Sequence, residues 1–259
     1  MMWAAVILAA GCSSSSHEGK EEQISVSPGV KEADPSDTAQ INSIRGNLSL
    51  NQIPTDPQAV VLTGLARHRL VTVYKSKQEN RAPETATDMY SVYGRSYYEE
   101  YESEEEEHFM PGIDLIRGYN LLNVAHYDLG TDTMNYLFEH PVLIKSLYYP
   151  SFEQDSLDKK PINRDYYIVS VYDADTNQDS LINKRDLRRL YYFNASCTHK
   201  IQLLPADYSA VRSQYDPMND VMYVFARLDV NHNGVAEKKE PLHIFWLNLK
   251  SPVRATRMY

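Results

Sequence analysis

The most constraining feature of this 259-residue chain is a plan that occurs twice: a β-branched and aromatic run gives way to twelve mostly polar residues and then resumes. In the first copy Asp165-Tyr-Tyr-Ile-Val-Ser-Val-Tyr172 precedes Asp175-Thr-Asn-Gln-Asp-Ser-Leu-Ile-Asn-Lys-Arg-Asp186, and Leu190-Tyr-Tyr-Phe-Asn194 follows. In the second, Val221-Met-Tyr-Val-Phe-Ala-Arg-Leu228 precedes Asp229-Val-Asn-His-Asn-Gly-Val-Ala-Glu-Lys-Lys-Glu240, and Ile244-Phe-Trp-Leu-Asn248 follows. The twelve-residue stretches and the runs after them match without a gap at a spacing of 54. Upstream, Ile144–Pro150 matches Val211–Pro217 at a spacing of 67, and the 13-residue difference falls in the longer loop after Pro150. β-Branched and aromatic side chains suit a pleated, half-buried surface, and the chain carries 20 Tyr. Each copy predicts strand, turn, strand, polar loop, strand, with Lys200–Leu204 as a fourth strand after the first. The whole predicts an all-β fold of antiparallel hairpins.

The remaining apolar runs fit that plan. Leu70–Tyr74 is a β-branched run, and Val142–Tyr148 another. Tyr119–Tyr127 and Asn135–Phe138 flank the turn-rich Asp128–Thr133, which predicts a hairpin, the same unit with an ordinary turn in place of the polar twelve. Pro150–Arg164 is polar and predicts a loop. Three- or four-stranded antiparallel units repeated along a chain predict a propeller-like layout. Globular residues 58–259 would make roughly four blades of about 50 residues. A β-sandwich of two sheets is the alternative.

The polar twelves carry the chemistry. Oxygen-bearing side chains stand at positions 1, 3, 5, 9 and 12: Asp175, Asn177, Asp179, Asn183 and Asp186 in loop one, and Asp229, Asn231, Asn233, Glu237 and Glu240 in loop two. Position 7, Leu181 or Val235, offers a backbone carbonyl. Calcium takes about six to eight oxygens, and alternate residues of a tightly wound loop can all point inward. Each loop supplies three carboxylates, enough to neutralise a divalent cation. Without the repeat, either stretch also reads as a polar hairpin turn, because Asn and Asp favour turns.

The spacing resembles the calcium loop shared by EF-hands and dockerins. That resemblance implies Ca2+ as the cofactor, with the residues just named and the carbonyls of Leu181 and Val235 as ligands. Loop one departs at position 6, where Ser180 replaces the usual Gly and must adopt an uncommon backbone angle. It ends in Asp186, whose shorter arm grips an ion less easily with both oxygens. Loop two keeps Gly234 but has Ala236 at the usually apolar position 8. Loop two is therefore expected to be the stronger site. Pro241 follows Glu240 directly and disfavours a helix leaving loop two, whereas Lys184–Leu190 has room for one or two helical turns. Both loops read as metal-filled hairpin connections rather than the helix-flanked loop of a calcium sensor.

The N-terminus points to an address. Met1–Ala10 is apolar, and Leu8-Ala-Ala-Gly-Cys12 follows. An apolar run ending in small residues reads as a secretory signal, although no Lys or Arg precedes it. A Cys directly after Ala-Gly resembles the bacterial lipobox, which implies lipidation of Cys12 and, with Ser13 next, an outer-membrane location. The alternative is a short buried strand beside a structural Cys. Residues 1–12 are thus expected to be a lipoprotein signal and 13–57 a disordered tether, poor in large apolar side chains, with a short ordered piece around Ile41–Leu50. The unit rhythm resembles the TolB-like and WD-repeat-like propellers of the bacterial envelope, although no Gly-His or Trp-Asp signature is present.

Other function classes fare poorly. A net charge of −9 gives nucleic acid no basic face. The acidic run Glu104–Glu107, with Glu99, Glu100 and Glu102 before it, reads as a solvated flank. No His-Glu-x-x-His pair, Gly-x-Ser-x-Gly elbow or Gly-rich phosphate loop occurs. Cys197 reads as a buried small side chain, and Phe245 and Trp246 as packing. The expected function is an interaction module for an envelope protein or a glycan, held to the membrane by its lipid and stabilised by calcium. No catalytic residue is assigned. The alternative is an extracytoplasmic hydrolase or carbohydrate-active enzyme with structural calcium, which would need a pocket of convergent carboxylates outside the loops.

Overall fold

The computed structural model describes residues 44–45, 53–76 and 110–259. Cys12 and the acidic run around Glu104–Glu107 lie outside the described residues. Among them every regular element is a strand. In chain order these are β1 (Ile44–Arg45), β2 (Thr55–Leu62), β3 (His68–Lys75), β4 (Ile113–Asp128), β5 (Thr133–Tyr136), β6 (Leu143–Pro150), β7 (Asp155–Leu157) and β8 (Lys160–Ile162). They continue with β9 (Tyr166–Tyr172), β10 (Leu181–Ile182), β11 (Arg189–Asn194), β12 (Lys200–Gln202), β13 (Tyr208–Asp216), β14 (Val221–Leu228), β15 (Leu242–Asn248) and β16 (Ala255–Arg257).

The all-β expectation holds, and both copies of the repeat are four-stranded antiparallel meanders with a polar twelve between their second and third strands. The first copy is β6-β9-β11-β12 and the second β13-β14-β15-β16. Only the second stands as a separate sheet. In the first, β6 also pairs with the long β4, so the meander continues through β4 to β3 and β2, with β5 joined to β4, as one eight-stranded sheet. Among the described residues neither sheet closes on itself.

Apolar side chains alternate along the strands and fill both faces of the larger sheet. Ile168, Leu190 and Tyr148 join Met222, Val224, Ala226, Phe245 and Leu247 of the smaller sheet in one core. Tyr167, Val169, Val171, Tyr191 and Phe193 point the other way into a second core with Leu70, Val124, Ile144 and Leu147. This is the period of two that a strand imposes. Two antiparallel sheets thus share one core.

The two copies differ by one residue in register. Arg189 faces Val171 across β9 and β11, whereas Arg227 faces Leu242 across β14 and β15, one step from the position that the 54-residue spacing gives. A one-residue slip exchanges faces. Leu190 therefore points at the core between the sheets in the first copy, and Phe245 and Leu247 do so in the second.

Two expectations are corrected. The stretch Pro150–Arg164 contains the hairpin β7-β8, in which Asp158 and Lys159 both take positive φ, 52° and 63°. That is the geometry of a tight hairpin turn that Asn-Gly or Asp-Gly usually marks. The residues after loop one make no helix: Lys184 and Arg185 form a turn, and β11 begins at Arg189. Within the span expected as tether, β1 pairs with β10, Ile44 facing Ile182 and Arg45 facing Leu181.

A buried ion pair fastens the far end of the sheets. Arg164 donates to both oxygens of Asp220, at 3.0 and 2.7 Å, and to the carbonyls of Leu249 and Pro111. Tyr215 donates its hydroxyl to Asp220, and Tyr166 donates to the carbonyl of Leu249. The pair is almost fully buried on both sides.

Candidate metal centre

Loops one and two are each wound by two residues with positive φ, at positions 4 and 6. These are Gln178 (61°) and Ser180 (69°) in loop one, and His232 (54°) and Gly234 (75°) in loop two. The left-handed conformation costs a residue with a Cβ about 1–2 kcal/mol. It persists here in three such residues because the side chains at positions 1, 3 and 5 take up the backbone N–H groups that the winding turns inward.

That uptake is the same in both loops. Asp175 accepts from the N–H groups of Asp179 and Ser180 at 3.0 and 2.7 Å, and Asp229 accepts from Asn233 and Gly234 at 3.1 and 2.8 Å. Asn177 accepts from the N–H of Asp179, and Asn231 from that of Asn233. Asp179 accepts from Leu181 N–H, and Asn233 from Val235 N–H. The closing carboxylate then ties the two ends of the loop together. Asp186 accepts from Thr176 and Asn183 N–H at 2.7 and 2.8 Å; Glu240 accepts from Val230 and Glu237 N–H, each at 2.9 Å. The two copies thus share one frame, position for position, although their sequences share few residues.

The closing carboxylates differ in how fully they are engaged. Oδ1 of Asp186 lies within reach of three donors, Thr176 N–H, Asn177 N–H and the Thr176 hydroxyl, while Oδ2 takes Asn183 N–H. Each oxygen of Glu240 takes one. A carboxylate oxygen has about two lone pairs to offer, so Asp186 has less capacity left than Glu240. The short arm of Asp186 reaches its position by leaning on Thr176.

The donor set suits a hard divalent cation. The candidate side-chain ligands in both loops are all oxygen-bearing Asp, Asn and Glu, the donor type calcium prefers. Asp186, Asp229 and Glu240 are buried, as is Asn183. The hydrogen-bond partners of those three carboxylates are backbone N–H groups and the Thr176 hydroxyl. Burial pushes the Asp186 carboxyl above its ordinary range, against the N–H donors that pull it down. Buried charge is normally matched by a counter-charge. In loop two Glu237 turns instead to Asn231, which donates to it at 2.9 Å, and to the Lys239 ammonium at 3.2 Å. Among the described residues no group of three or more His, Cys, Asp or Glu is gathered as a metal cluster.

The loops also touch, which the sequence did not announce. The Thr176 hydroxyl donates to the carbonyl of Gly234 at 2.7 Å. Loop one is further pinned through β10: Leu181 and Ile182, positions 7 and 8, pair with β1, and Ile182 packs with Ile53, Leu122, Leu143 and Tyr172. Loop two has no such strand, and its position 8 is Ala236.

Elsewhere Cys197 and Phe245 are packing. Cys197 lies against the second core, and burial pushes its thiol far up, away from nucleophile chemistry. Phe245 is buried, but Trp246 is 37% exposed on the outer face of the smaller sheet, contrary to its reading as packing. A cavity between the sheets, about 20 Å³, is lined by Ser146, Ser170, Arg188 and Ser213 among apolar neighbours and carries no carboxylate. No protein-family model matches the chain, and no curated protein matches it.

Proposed function

We propose that this chain is a calcium-binding lipoprotein of a bacterial cell envelope, whose all-β unit serves as a calcium-stabilised module for binding a protein or a glycan. The observation that carries the calcium part is the shared frame of the two loops, with side-chain oxygens accepting the same N–H groups and a buried carboxylate at position 12 in each. A bound calcium ion would place positive charge beside the buried carboxylates Asp186, Asp229 and Glu240. Asp175, Asn177, Asp179, Asn183, Asp186 and the Leu181 carbonyl would hold it in loop one. Asp229, Asn231, Asn233, Glu237, Glu240 and the Val235 carbonyl would hold it in loop two. The role is structural: the ion fixes two long connections between strands that already pair. Loop two is the stronger site, because Glu240 keeps more free lone pairs than Asp186 and Gly234 takes its turn without strain.

The lipid anchor and the envelope address rest on Cys12 and the apolar run before it. The interaction role is supported by the outer face of the smaller sheet. Tyr223 and Trp246 face each other there across β14 and β15, and Phe225 faces Ile244, with the Arg212 guanidinium 3.4 Å from the Phe225 ring centre. Such a face offers apolar contact with polar edges, as recognition surfaces do.

Thermal unfolding in calcium and in chelator tests the reading. A ligand that binds only the folded state at about 100 times its dissociation constant adds about 2.7 kcal/mol. Each kcal/mol raises the melting temperature of a domain this size by about 2–4 °C. One saturated site should add about 5–10 °C, and magnesium much less. Glu240→Gln should remove more of the shift than Asp186→Asn. Identical curves in calcium and in chelator would reject calcium binding; a larger loss from Asp186→Asn would reverse the ranking.

A further inference from the structure

The contact between the loops runs through groups that belong to both proposed ion sites. Thr176 is position 2 of loop one. Its N–H donates to Oδ1 of Asp186, the closing carboxylate, at 2.7 Å. Its hydroxyl oxygen accepts from Leu187 N–H at 2.8 Å. Its hydroxyl proton has two acceptors within reach, the Gly234 carbonyl at 2.7 Å and Asp186 Oδ1 at 3.2 Å. Gly234, position 6 of loop two, donates its own N–H to Oδ2 of Asp229, the first carboxylate of that loop, at 2.8 Å. A continuous path therefore joins Asp186 to Asp229 through one hydroxyl and one glycine.

The approach leaves no slack. A Cβ on Gly234 would lie 1.9 Å from the Thr176 carbonyl oxygen and 2.7 Å from the Asn177 nitrogen, both backbone atoms. Neither loop can change its winding at this point without moving the other.

We infer that the two loops bind their ions as one coupled unit, with the hydrogen bond from Thr176 to Gly234 carrying the coupling. This inference rests on the calcium reading above. A hydroxyl has one proton. A cation held by Asp186 would draw on the lone pairs of Oδ1, which would then compete less for the proton and leave it to the Gly234 carbonyl, already the nearer acceptor. The commitment fixes the turn whose N–H groups hold Asp229, so loop two loses less freedom when it closes. By linkage the effect is reciprocal: an ion in loop two favours loop one by the same factor.

Calorimetric calcium titration of the full chain tests this as a thermodynamic cycle. Asp175→Ala silences loop one and reports the constant of loop two alone; Glu240→Gln silences loop two and reports loop one alone. The overall two-ion constant of the unsubstituted protein should exceed the product of those two constants by about fivefold or more, the lower end of usual coupling. The same cycle with Thr176→Ser, which keeps the hydroxyl, should retain the excess. With Thr176→Val, which keeps the branched shape, it should vanish. Thr176→Val also removes the acceptor for Leu187 N–H, so Gly234→Ala, which forces the loops apart and leaves Thr176 intact, gives a second route to the same loss. Equality of the overall constant and the product in the unsubstituted protein overturns the coupling and leaves calcium binding standing, as does uptake of a single ion. An excess that survives both Thr176→Val and Gly234→Ala overturns the assigned contact. No calcium binding at any loop overturns the reading beneath it.

Discussion

Gly234→Ala and Ser180→Gly change the same loop position in opposite directions, and the structure predicts opposite signs for them. At Gly234, φ is 75°, and an added Cβ would meet Thr176 backbone atoms at 1.9 and 2.2 Å. The left-handed conformation costs Ala about 1–2 kcal/mol, and separating the loops loses the Thr176 hydroxyl bond, worth about 0.5–1.5 kcal/mol. Ala restricts the unfolded chain and returns about 0.4–1 kcal/mol. The balance is a destabilisation of about 0.5–3 kcal/mol, before any loss of packing between the loops. With about 2–4 °C per kcal/mol, a mid-range 2 kcal/mol lowers the melting temperature by about 4–8 °C. At Ser180, φ is 69° in a residue that already has a Cβ. Ser180→Gly relieves about 1–2 kcal/mol of conformational cost and adds about 0.5–1 kcal/mol of unfolded-chain entropy, so it stabilises by up to about 1.5 kcal/mol. Urea unfolding in chelator measures both without any contribution from metal. A Gly234→Ala cost within a few tenths of a kcal/mol would mean that the loops do not press on each other as described. Destabilisation by Ser180→Gly would mean that the winding at position 6 carries no strain.

The other predictions concern the two ends of the molecule. Asp220→Asn leaves the Arg164 guanidinium buried without its counter-charge, which should cost about 3–5 kcal/mol and lower the melting temperature by about 6–20 °C; a change under 2 °C would show that the pair does not hold the sheets. Cys12→Ala should abolish acylation, so that intact-mass analysis and detergent partition separate it from the unsubstituted chain made in a bacterial host. Unsubstituted protein that retains Met1–Gly11 and carries no acyl mass would remove the anchor from the proposal.

Strands were legible wherever burial on both faces made the run itself apolar. Tyr166–Tyr172 is buried throughout, and its sequence reads as strand without help from context. The strands that escaped notice lack that signal. β2 carries Pro57 and a register shift between Pro57 and Ala59, at the edge of its sheet, where the ladder tolerates a missing N–H. β7 and β8 are short and polar, and their turn is made by Asp158 and Lys159, with no glycine to mark it. The register slip between the copies was invisible for a different reason. A gapless match fixes which residues correspond, but pairing is settled by which face must be buried, and Phe245 and Leu247 are the residues that fill the smaller sheet's side of the core.

The loops show where such reading stops. Spacing alone marks which side chains take up the wound backbone: Asp175, Asn177 and Asp179, like Asp229, Asn231 and Asn233, accept N–H groups at matching positions. It identifies Gly234 as a turn residue, yet the φ of Ser180 is within a few degrees of that of Gly234, so conformation alone does not require a glycine there. What requires it is loop one, brought against Gly234 by pairing between distant strands. The same distant contact explains how Asp186 can stand where a longer Glu is usual. Thr176 supplies its N–H to the shorter carboxylate, and its hydroxyl, shared between Asp186 at 3.2 Å and the Gly234 carbonyl at 2.7 Å, holds Thr176 against loop two. Loop one is therefore braced by loop two at Thr176. The departures that look like independent weaknesses in the sequence, Ser180 and Asp186, belong to a loop that is braced from outside, by β1 at positions 7 and 8 and by Gly234 at position 2.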